Sequence, residues 1–298
     1  MFRILICWLF VCLGIPQAHA ERMPTRLEVV ASNYPLAYFA ERIAGSSAVV
    51  HFPVPDDVDP AYWRPNVDDI KLLQRADLLV FNGAGYETWL PKVSLSRTRQ
   101  VDTSLAFASQ FIRIEQAVTH SHGGSGLHTH EGTAFTTWLD MSLARLQAQA
   151  IADALGRKQP ELKSRFTEHL NGLLADLEGL DKSLQSIGTQ NREVPLMASH
   201  PVYSYLARRY GLNLASVHWE PDEIPPEREW TQLAKVLENH PARWMIWEKQ
   251  PQPETAERLA RSGINSLVFD PCANRPTQGD FLSVMASNVR NLQQAMKP

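Results

Sequence analysis

The sequence predicts an α/β protein of two lobes, each a mostly parallel sheet flanked by helices, with one long helix between them. Short apolar runs alternate with helical patterns in both halves of the chain, a rhythm typical of parallel sheets with right-handed crossovers. Between the halves, leucines recur every three or four residues from Glu161 to about Ile187. Such a helix extends for roughly 40 Å, longer than most helices within one domain, and this predicts a spine joining two lobes.

Composition and the N-terminus limit the class of protein. The chain has 298 residues, a formal net charge of -3 and no basic runs, which argues against nucleic acid as a partner. Arg3 precedes an apolar run that leads to the small-x-small motif Ala18-His19-Ala20. This pattern predicts a signal peptide over residues 1–20 and export to the periplasm as a monomer. Cys12 would be the lipid-modified residue of a lipoprotein, but Val11 before it is bulky for such a site.

The N-terminal lobe is predicted over residues 21–158. Its apolar runs indicate strands and its periodic stretches indicate helices. The expected strands are Leu27–Ala31, Val49–Val54 and Leu78–Phe81, and the expected helices are Leu36–Ala44, Val67–Arg75, one beginning at Tyr86–Leu90, and Leu139–Leu155.

The spine is placed at residues 159–189 and the C-terminal lobe at 190–298. In that lobe Gly211 ends a helix that begins after His200. The remaining strands are expected at 194–198, 215–218, 244–247 and 266–269, and helices at 229–238, 253–261 and 279–296.

A histidine-rich segment, residues 119–132, interrupts the alternation in the first lobe. It contains four glycines and four histidines and predicts a mobile hydrophilic loop; the histidines are His120, His122, His128 and His130. Pairs at i, i+2 let two imidazoles reach one ion from an extended chain, and neutral imidazole suits Zn, Cu, Ni and Fe. The alternative is a polar insertion without a ligand, and ordering a glycine-rich loop predicts weak binding.

Three polar residues follow predicted strands of the second lobe. They are His200, Glu248 and Asp270. Because ligands bind at the carboxyl ends of parallel strands, we expect these side chains to share one edge of the sheet. Taken singly, each could be a helix cap or a salt-bridge partner. No Walker loop, G-x-S-x-G, H-E-x-x-H or G-x-G-x-x-G motif is present.

Several stretches together resemble the periplasmic solute-binding proteins of zinc and manganese ABC importers, the ZnuA/TroA-like group. The resemblance covers nearly all of residues 27–298. It is carried by SNYPLAYFAERIAG, VPDDVDPAYWRPNVDDIKLLQRADLLVFNGAGYETWL, the histidine-rich segment, TTWLDM, SHPVYSYLARRYGL and VFDP. It implies two α/β lobes joined by a rigid helix, with a metal between them and a membrane permease as partner.

The resemblance also implies a ligand set, from which this chain departs. His200 matches the histidine of the second lobe and Asp270 matches the carboxylate. Where the family has P-H-D-Y-x-P and H-V-W-L-D-P, this chain has Ala61 and Thr136 in the two histidine positions. Two ligands rarely hold a transition metal tightly, so the loop histidines are expected to complete the site.

The expected cleft wall comprises Ala61, Arg64, Thr136, Trp138 and Glu248. Arg64 adds a cation that opposes a metal, or pairs with Asp59 or Asp270. The predicted function is capture of zinc, or of manganese or another divalent transition metal, for an ABC importer. The alternatives are a binding protein of the same fold for a non-metal or metal-chelate ligand and, least supported, a metallohydrolase built on His200, Asp270 and Glu248.

Overall fold

Two four-stranded parallel sheets organise the computed structural model, which describes residues 26–121 and 127–297. In the first sheet the strand order is β2-β1-β3-β4, and in the second it is β10-β9-β7-β8. The pairs between neighbouring strands are parallel in both sheets. The predicted α/β class with two lobes is therefore confirmed, while the residue limits proposed for each domain stay a prediction.

The first lobe is built from short buried strands and capped helices. Its strands are β1 (Leu27–Ala31), β2 (Ala48–His51), β3 (Leu78–Phe81) and β4 (Gln100–Asp102), and its helices are α1 (Tyr34–Ala44), α2 (Val67–Arg75) and α3 (Met141–Lys158). The side chain of Asn33 caps α1, and Asn66 and Asp69 form a reciprocal capping box on α2. These caps fix where each helix starts and hence how the loops at the sheet edge run.

The histidine-rich segment is largely a β-hairpin, which corrects the predicted loop over 119–132. Strands β5 (Arg113–Ser121) and β6 (Leu127–Thr133) pair antiparallel, with a register shift between Ile114 and Val118. β-branched residues on both strands favour extended backbone, and the ladder supplies partners for the backbone polar groups. The glycine-rich composition suggested a loop because it hides the alternation of side chains that is typical of strands.

The predicted spine is present as α4 (Lys163–Gln190), a helix of 28 residues. Its apolar stripe is buried in the largest core cluster, which is continuous with both lobes; the stripe comprises Phe166, Leu170, Leu173, Leu177, Leu184 and Ile187. At Gly188 an added Cβ atom would lie only 1.8 Å from the carbonyl oxygen of Tyr210. A glycine is required there for α4 to approach the next helix so closely.

The second lobe repeats the arrangement of the first. Its strands are β7 (Pro195–Ala198), β8 (Asn213–Ser216), β9 (Trp244–Trp247) and β10 (Asn265–Val268), and its helices are α5 (Ser204–Tyr210), α6 (Glu227–Asn239), α7 (Pro253–Arg261) and α8 (Phe281–Ala295). Gly211 ends α5 in the left-handed conformation, with φ of 65°.

One predicted helix is wrong. The stretch from Tyr86 to Leu90 forms turns, followed by a short 3-10 turn at Leu90–Lys92. The Glu87 carboxyl group folds back and accepts hydrogen bonds from the backbone N–H groups of Asn82 and Gly83. These local side-chain bonds compete with helical pairing of the backbone.

Direct hydrogen bonds join the lobes at the cleft floor. The backbone N–H of Tyr34 donates to the Ala273 carbonyl at 2.9 Å. The Asn274 amide donates to the carbonyls of Pro55 and Val58, both at 2.7 Å. Within the described ranges, no helix has the length and apolarity that crossing a bilayer requires.

Candidate functional site

Polar side chains gather at the carboxyl edge of the second sheet. His200 follows β7 by two residues, Glu248 follows β9 directly, and Asp270 follows β10 by two residues. Beyond β8 come His218 and Glu220. Because β9, β7 and β8 are neighbours in the sheet, the loops after them converge, as expected at the ligand-binding edge of an α/β sheet.

His200 is the buried centre of this group. Its side chain is 4% exposed, its Nε2 lies 3.6 Å from Oε1 of Glu220, and its Nδ1 lies 3.8 Å from Oε1 of Glu248. The ring of His218 stands edge-on to it, with centroids 5.8 Å apart. Although His200 occupies the N-cap position of the turn at 201–203, its side chain makes no capping bond. Helix capping therefore does not explain this histidine.

The loops that carry these residues are locked to each other by their backbones. The N–H of Val217 donates to the Ala198 carbonyl at 2.9 Å, and that of Trp219 donates to the Ser199 carbonyl at 2.7 Å. The Trp219 ring is 2% exposed and packs on Trp230, with ring centroids 4.7 Å apart. The segment after β8 is thereby held beside the segment after β7.

Carboxyl groups of both lobes raise the pKa of Glu248 at this edge of the second sheet. Burial, together with the charges of Asp59, Glu220 and Asp270, raises the pKa of Glu248 to about 8, against a lowering effect of Lys249. Burial also raises the pKa of Asp270, against the lowering effects of the Cys272 N–H and Lys249. Crowded carboxylates resist full ionisation until a cation joins them.

The state of His218 follows from its partly buried position. Burial lowers the pKa of His218, and the Glu220 carboxylate opposes this effect. The imidazole is therefore neutral at neutral pH, which is the form that binds metals. Sequence reasoning missed both His218 and Glu220, although the motif Val217-His218-Trp219-Glu220 directly after a strand could have revealed them.

The first lobe presents the two substituted positions to the cleft floor. Ala61 is 3% exposed, and its N–H donates to Oδ1 of Asp59 at 2.9 Å. The Thr136 hydroxyl is buried and donates to the carbonyl of Val202, two residues after His200. Thr136 thus joins the lobes where the family resemblance implies a ligand.

The other expected wall residues have different surroundings. Trp138 is fully buried, and its Nε1 donates to the Pro271 carbonyl at 2.8 Å. It is a core residue that connects the first lobe to the residue after Asp270. Arg64 is exposed, so its guanidinium lies on the surface rather than in the buried group around His200.

The hairpin histidines are placed by backbone register. His120 pairs with His128, and His130 pairs with Val118, whereas His122 lies outside the described residues. At the base of the hairpin, the N–H of Ile112 donates to the Tyr205 hydroxyl on α5. The hairpin therefore starts beside the helix that follows His200. Among residues 26–121 and 127–297, no three His, Cys, Asp or Glu side chains already converge on a point where they could hold an ion.

Comparison with known proteins gives a family match over almost the whole chain. The model of the family described as "Zinc-uptake complex component A periplasmic" matches residues 29–295. The zinc-binding lipoprotein AdcA of Streptococcus pneumoniae is 23% identical over 300 residues, covering 97% of this chain and 59% of AdcA. The chain thus spans about three fifths of that relative. The high-affinity zinc uptake system protein ZnuA of Bacillus subtilis is 26% identical over 267 residues, covering 87% of this chain and 83% of ZnuA.

Solved structures share the fold. The Zn(II)-bound ZnuA-like domain of Streptococcus pneumoniae AdcA superposes with a TM-score of 0.78 at 20% identity, covering 92% of this chain and 100% of that domain. The metal-dependent lipoprotein YcdH from Bacillus subtilis gives a TM-score of 0.76 at 22% identity, covering 90% of this chain and 98% of YcdH. At these identities the likeness establishes the two-lobed architecture.

Proposed function

Since the chain belongs to the family of periplasmic A components of zinc-uptake complexes, we propose that it captures a divalent transition metal, zinc in particular, and delivers it to the permease of an ABC importer. The family consists of binding components rather than enzymes, so the metallohydrolase alternative has no support. The cleft between the two lobes is where the ion is taken up. Removal of residues 1–20 would release a monomer into the periplasm, as the signal motif predicts.

The observation that carries this proposal is the environment of His200. A buried imidazole with a carboxyl group near each ring nitrogen offers a nitrogen ligand inside an acidic cluster of side chains. Imidazole nitrogen and carboxylate oxygen are both ordinary zinc ligands. Asp270 lies at the same edge of the sheet and adds to the negative charge around Glu248.

The complete ligand set combines both lobes. Ala61 has no donor atom, and the Thr136 hydroxyl is used for the bond to Val202. We therefore assign to the hairpin histidines the task of supplementing His200 and Asp270; they are His120, His122, His128 and His130. The position of the hairpin base against α5 supports this assignment.

Calorimetric titration of the purified protein with Zn2+ tests the proposal. We expect one tight site that His200→Ala weakens strongly, because losing a ligand leaves too few for a stable zinc centre. The double variant His128→Ala/His130→Ala is expected to weaken it as well. His51→Ala is the matched control, since His51 contacts Glu28 on the first sheet, away from the cleft.

The outcomes separate the possible ligands. If the protein binds no zinc stoichiometrically, while a metal-chelate complex does bind, the ligand is the chelate and the proposal is wrong. If zinc binds equally well to wild type and His200→Ala, the cleft is not the metal site. Titration with Mn2+ in parallel establishes which ion is preferred.

A further inference from the structure

We propose that Asn274 is a positioning residue through which the first lobe fixes the Asp270 carboxylate in the cleft. This inference rests on the proposed function, in which Asp270 is a ligand of the captured ion. Ala61 has no donor atom in its side chain, and the Thr136 hydroxyl bonds the Val202 carbonyl. At these two positions the first lobe therefore contributes to the geometry of the site rather than to its ligands.

The segment 271–274, hereafter the strap, belongs to the second lobe in sequence but is bonded to the first lobe. The Nε1 of Trp138 donates to the Pro271 carbonyl at 2.8 Å, and the N–H of Tyr34 donates to the Ala273 carbonyl at 2.9 Å. One donor comes from the turn before α3 and the other from the start of α1. The backbone of the strap is thus held from the first lobe at two points.

Asn274 joins the strap to the loop between β2 and α2. Its side-chain nitrogen donates to the carbonyls of Pro55 and Val58, both at 2.7 Å, which uses both of its hydrogens. Its Oδ1 accepts from the Arg275 N–H at 2.6 Å. Because the amide is held at its nitrogen and at its oxygen, its orientation is fixed. The loop that it holds carries Ala61, one of the two substituted ligand positions.

A strained turn within the strap connects this restraint to the carboxylate. Cys272 has a φ of 56°, in the left-handed region that is unfavourable for residues with a Cβ atom. Such a conformation persists where the surrounding contacts over-determine it, and the bonds from the first lobe lie on both sides of Cys272. In this conformation the Cys272 N–H donates to Oδ1 of Asp270 at 2.7 Å. The orientation of the carboxylate therefore depends on the conformation of the strap.

The second lobe fixes the backbone of Asp270 independently. The Asp270 N–H donates to Oδ1 of Asn288 at 3.0 Å, and the Asn288 amide donates to the Asp270 carbonyl at 2.6 Å. Asn288 is buried on α8. A carboxylate that accepts an N–H through one oxygen still offers its other oxygen to a cation. Since outer partners that orient a ligand contribute to metal affinity, the strap prepares Asp270 for the ion.

Asp59 offers a second route from the loop to the site. It lies on the same loop between β2 and α2, and its charge raises the pKa of Glu248 on the second lobe. An effect of Asn274 that runs through Asp59 would persist after the Asp270 carboxylate is removed. An effect that runs through the strap would disappear with that carboxylate.

A double-mutant cycle on the full chain separates the two routes, with zinc affinity measured by competition against a chromogenic chelator. Asn274→Ala should weaken zinc binding about tenfold, at the low end of the 10–100-fold cost of losing an outer partner, because it acts on the carboxylate through the backbone. In an Asp270→Ala background the same substitution should change the affinity by less than about twofold. Asn274→Ser retains one donor and should give an intermediate loss.

A control variant and a measurement without zinc distinguish positioning from a general loss of stability. Asn291→Ala is the matched control, because the Asn291 amide donates to the Val268 carbonyl at 2.9 Å within the second lobe. It should bind zinc as wild type does. In the metal-free protein the Cys272 amide should exchange hydrogen faster in Asn274→Ala than in wild type or Asn291→Ala, because its bond to Asp270 is loosened.

The results distinguish this inference from the function on which it rests. Unchanged zinc affinity in Asn274→Ala, with loss in Asp270→Ala, overturns the positioning role and leaves zinc capture intact. An equal effect of Asn274→Ala in both backgrounds also overturns it, as does a matching loss of affinity in Asn291→Ala or an unchanged exchange rate at Cys272. Absence of zinc binding to wild type refutes the proposed function, and the inference with it.

Discussion

Glu87 makes the stability of the first lobe depend on pH in a way that can be calculated. Its side chain is buried next to the ends of β1 and β3. There the Ser32 hydroxyl and the N–H groups of Asn82 and Gly83 donate hydrogen bonds to it. Burial raises its pKa from 4.5 to about 7, although these hydrogen bonds lower it. The folded protein therefore holds a proton on Glu87 at pH values where the unfolded chain has released it.

The sign and size of the effect follow from linkage. Stability falls with rising pH wherever the folded state binds more protons than the unfolded state. For Glu87 this window extends from about pH 4.5 to about pH 7. One pKa unit corresponds to about 1.4 kcal/mol, so ionisation of Glu87 lowers the free energy of unfolding by about 3 kcal/mol across it. Glu87→Gln removes this contribution because the amide does not titrate.

Urea denaturation of wild type and Glu87→Gln, followed by circular dichroism between pH 4.5 and 8, measures the effect. The variant loses an acceptor for the Gly83 N–H and starts with a constant penalty. Relative to wild type, however, it should gain about 3 kcal/mol as the pH rises. Glu168→Gln removes an exposed carboxyl from α4 and serves as the control. Parallel pH profiles for wild type and Glu87→Gln would refute the reasoning.

Three further predictions concern the spine, the lobe contact and the ion. Leu173→Ala, at a fully buried position of α4, should lower the free energy of unfolding by about 2–5 kcal/mol; a loss below about 1 kcal/mol in urea denaturation would show that this stripe is not core. Thr136→Val removes the bond to the Val202 carbonyl and should cost about 1–3 kcal/mol while zinc affinity stays the same, and reduced zinc affinity would instead make Thr136 part of the site. Zinc affinity should fall about fivefold between pH 6.5 and 5.5 for each histidine ligand with the ordinary imidazole pKa of about 6.5, because protonated imidazole cannot coordinate; equal dissociation constants at pH 7.5 and 5.5 would argue against histidine ligands.

Local sequence signals were sufficient for most of the fold. The bounds expected for α2, β9 and α7 match the structure residue for residue. In α2 the capping box and in α7 the proline at the helix start define the ends through backbone chemistry that is local to the sequence. The periodicity of α4 similarly reveals the spine, because a long amphipathic stripe has few alternative structures.

The errors arose where distant contacts decide the structure. Residues 86–90 look helical in isolation, but Glu87 is drawn to the ends of β1 and β3. Strand β4 is only three residues long and was missed because its pairing with β3 cannot be seen in its composition. The β5–β6 hairpin depends on pairing between strands, which the glycines and histidines obscure.

The candidate site was predicted in part. His200, Glu248 and Asp270 could be identified because each closely follows a strand of a parallel sheet. His218 and Glu220 were missed because their relevance depends on the bond between the Trp219 N–H and the Ser199 carbonyl. That contact aligns two loops that are well separated along the chain, and no local pattern reports it.

Anomalous diffraction at the zinc absorption edge, from crystals of the zinc-loaded protein, tests the central claim most directly. The account predicts one strong peak about 2.0–2.1 Å from an imidazole nitrogen of His200, with a carboxylate or second imidazole of the neighbouring loops in the same coordination shell. A peak confined to the hairpin histidines, or a cleft without zinc at full loading, would contradict it.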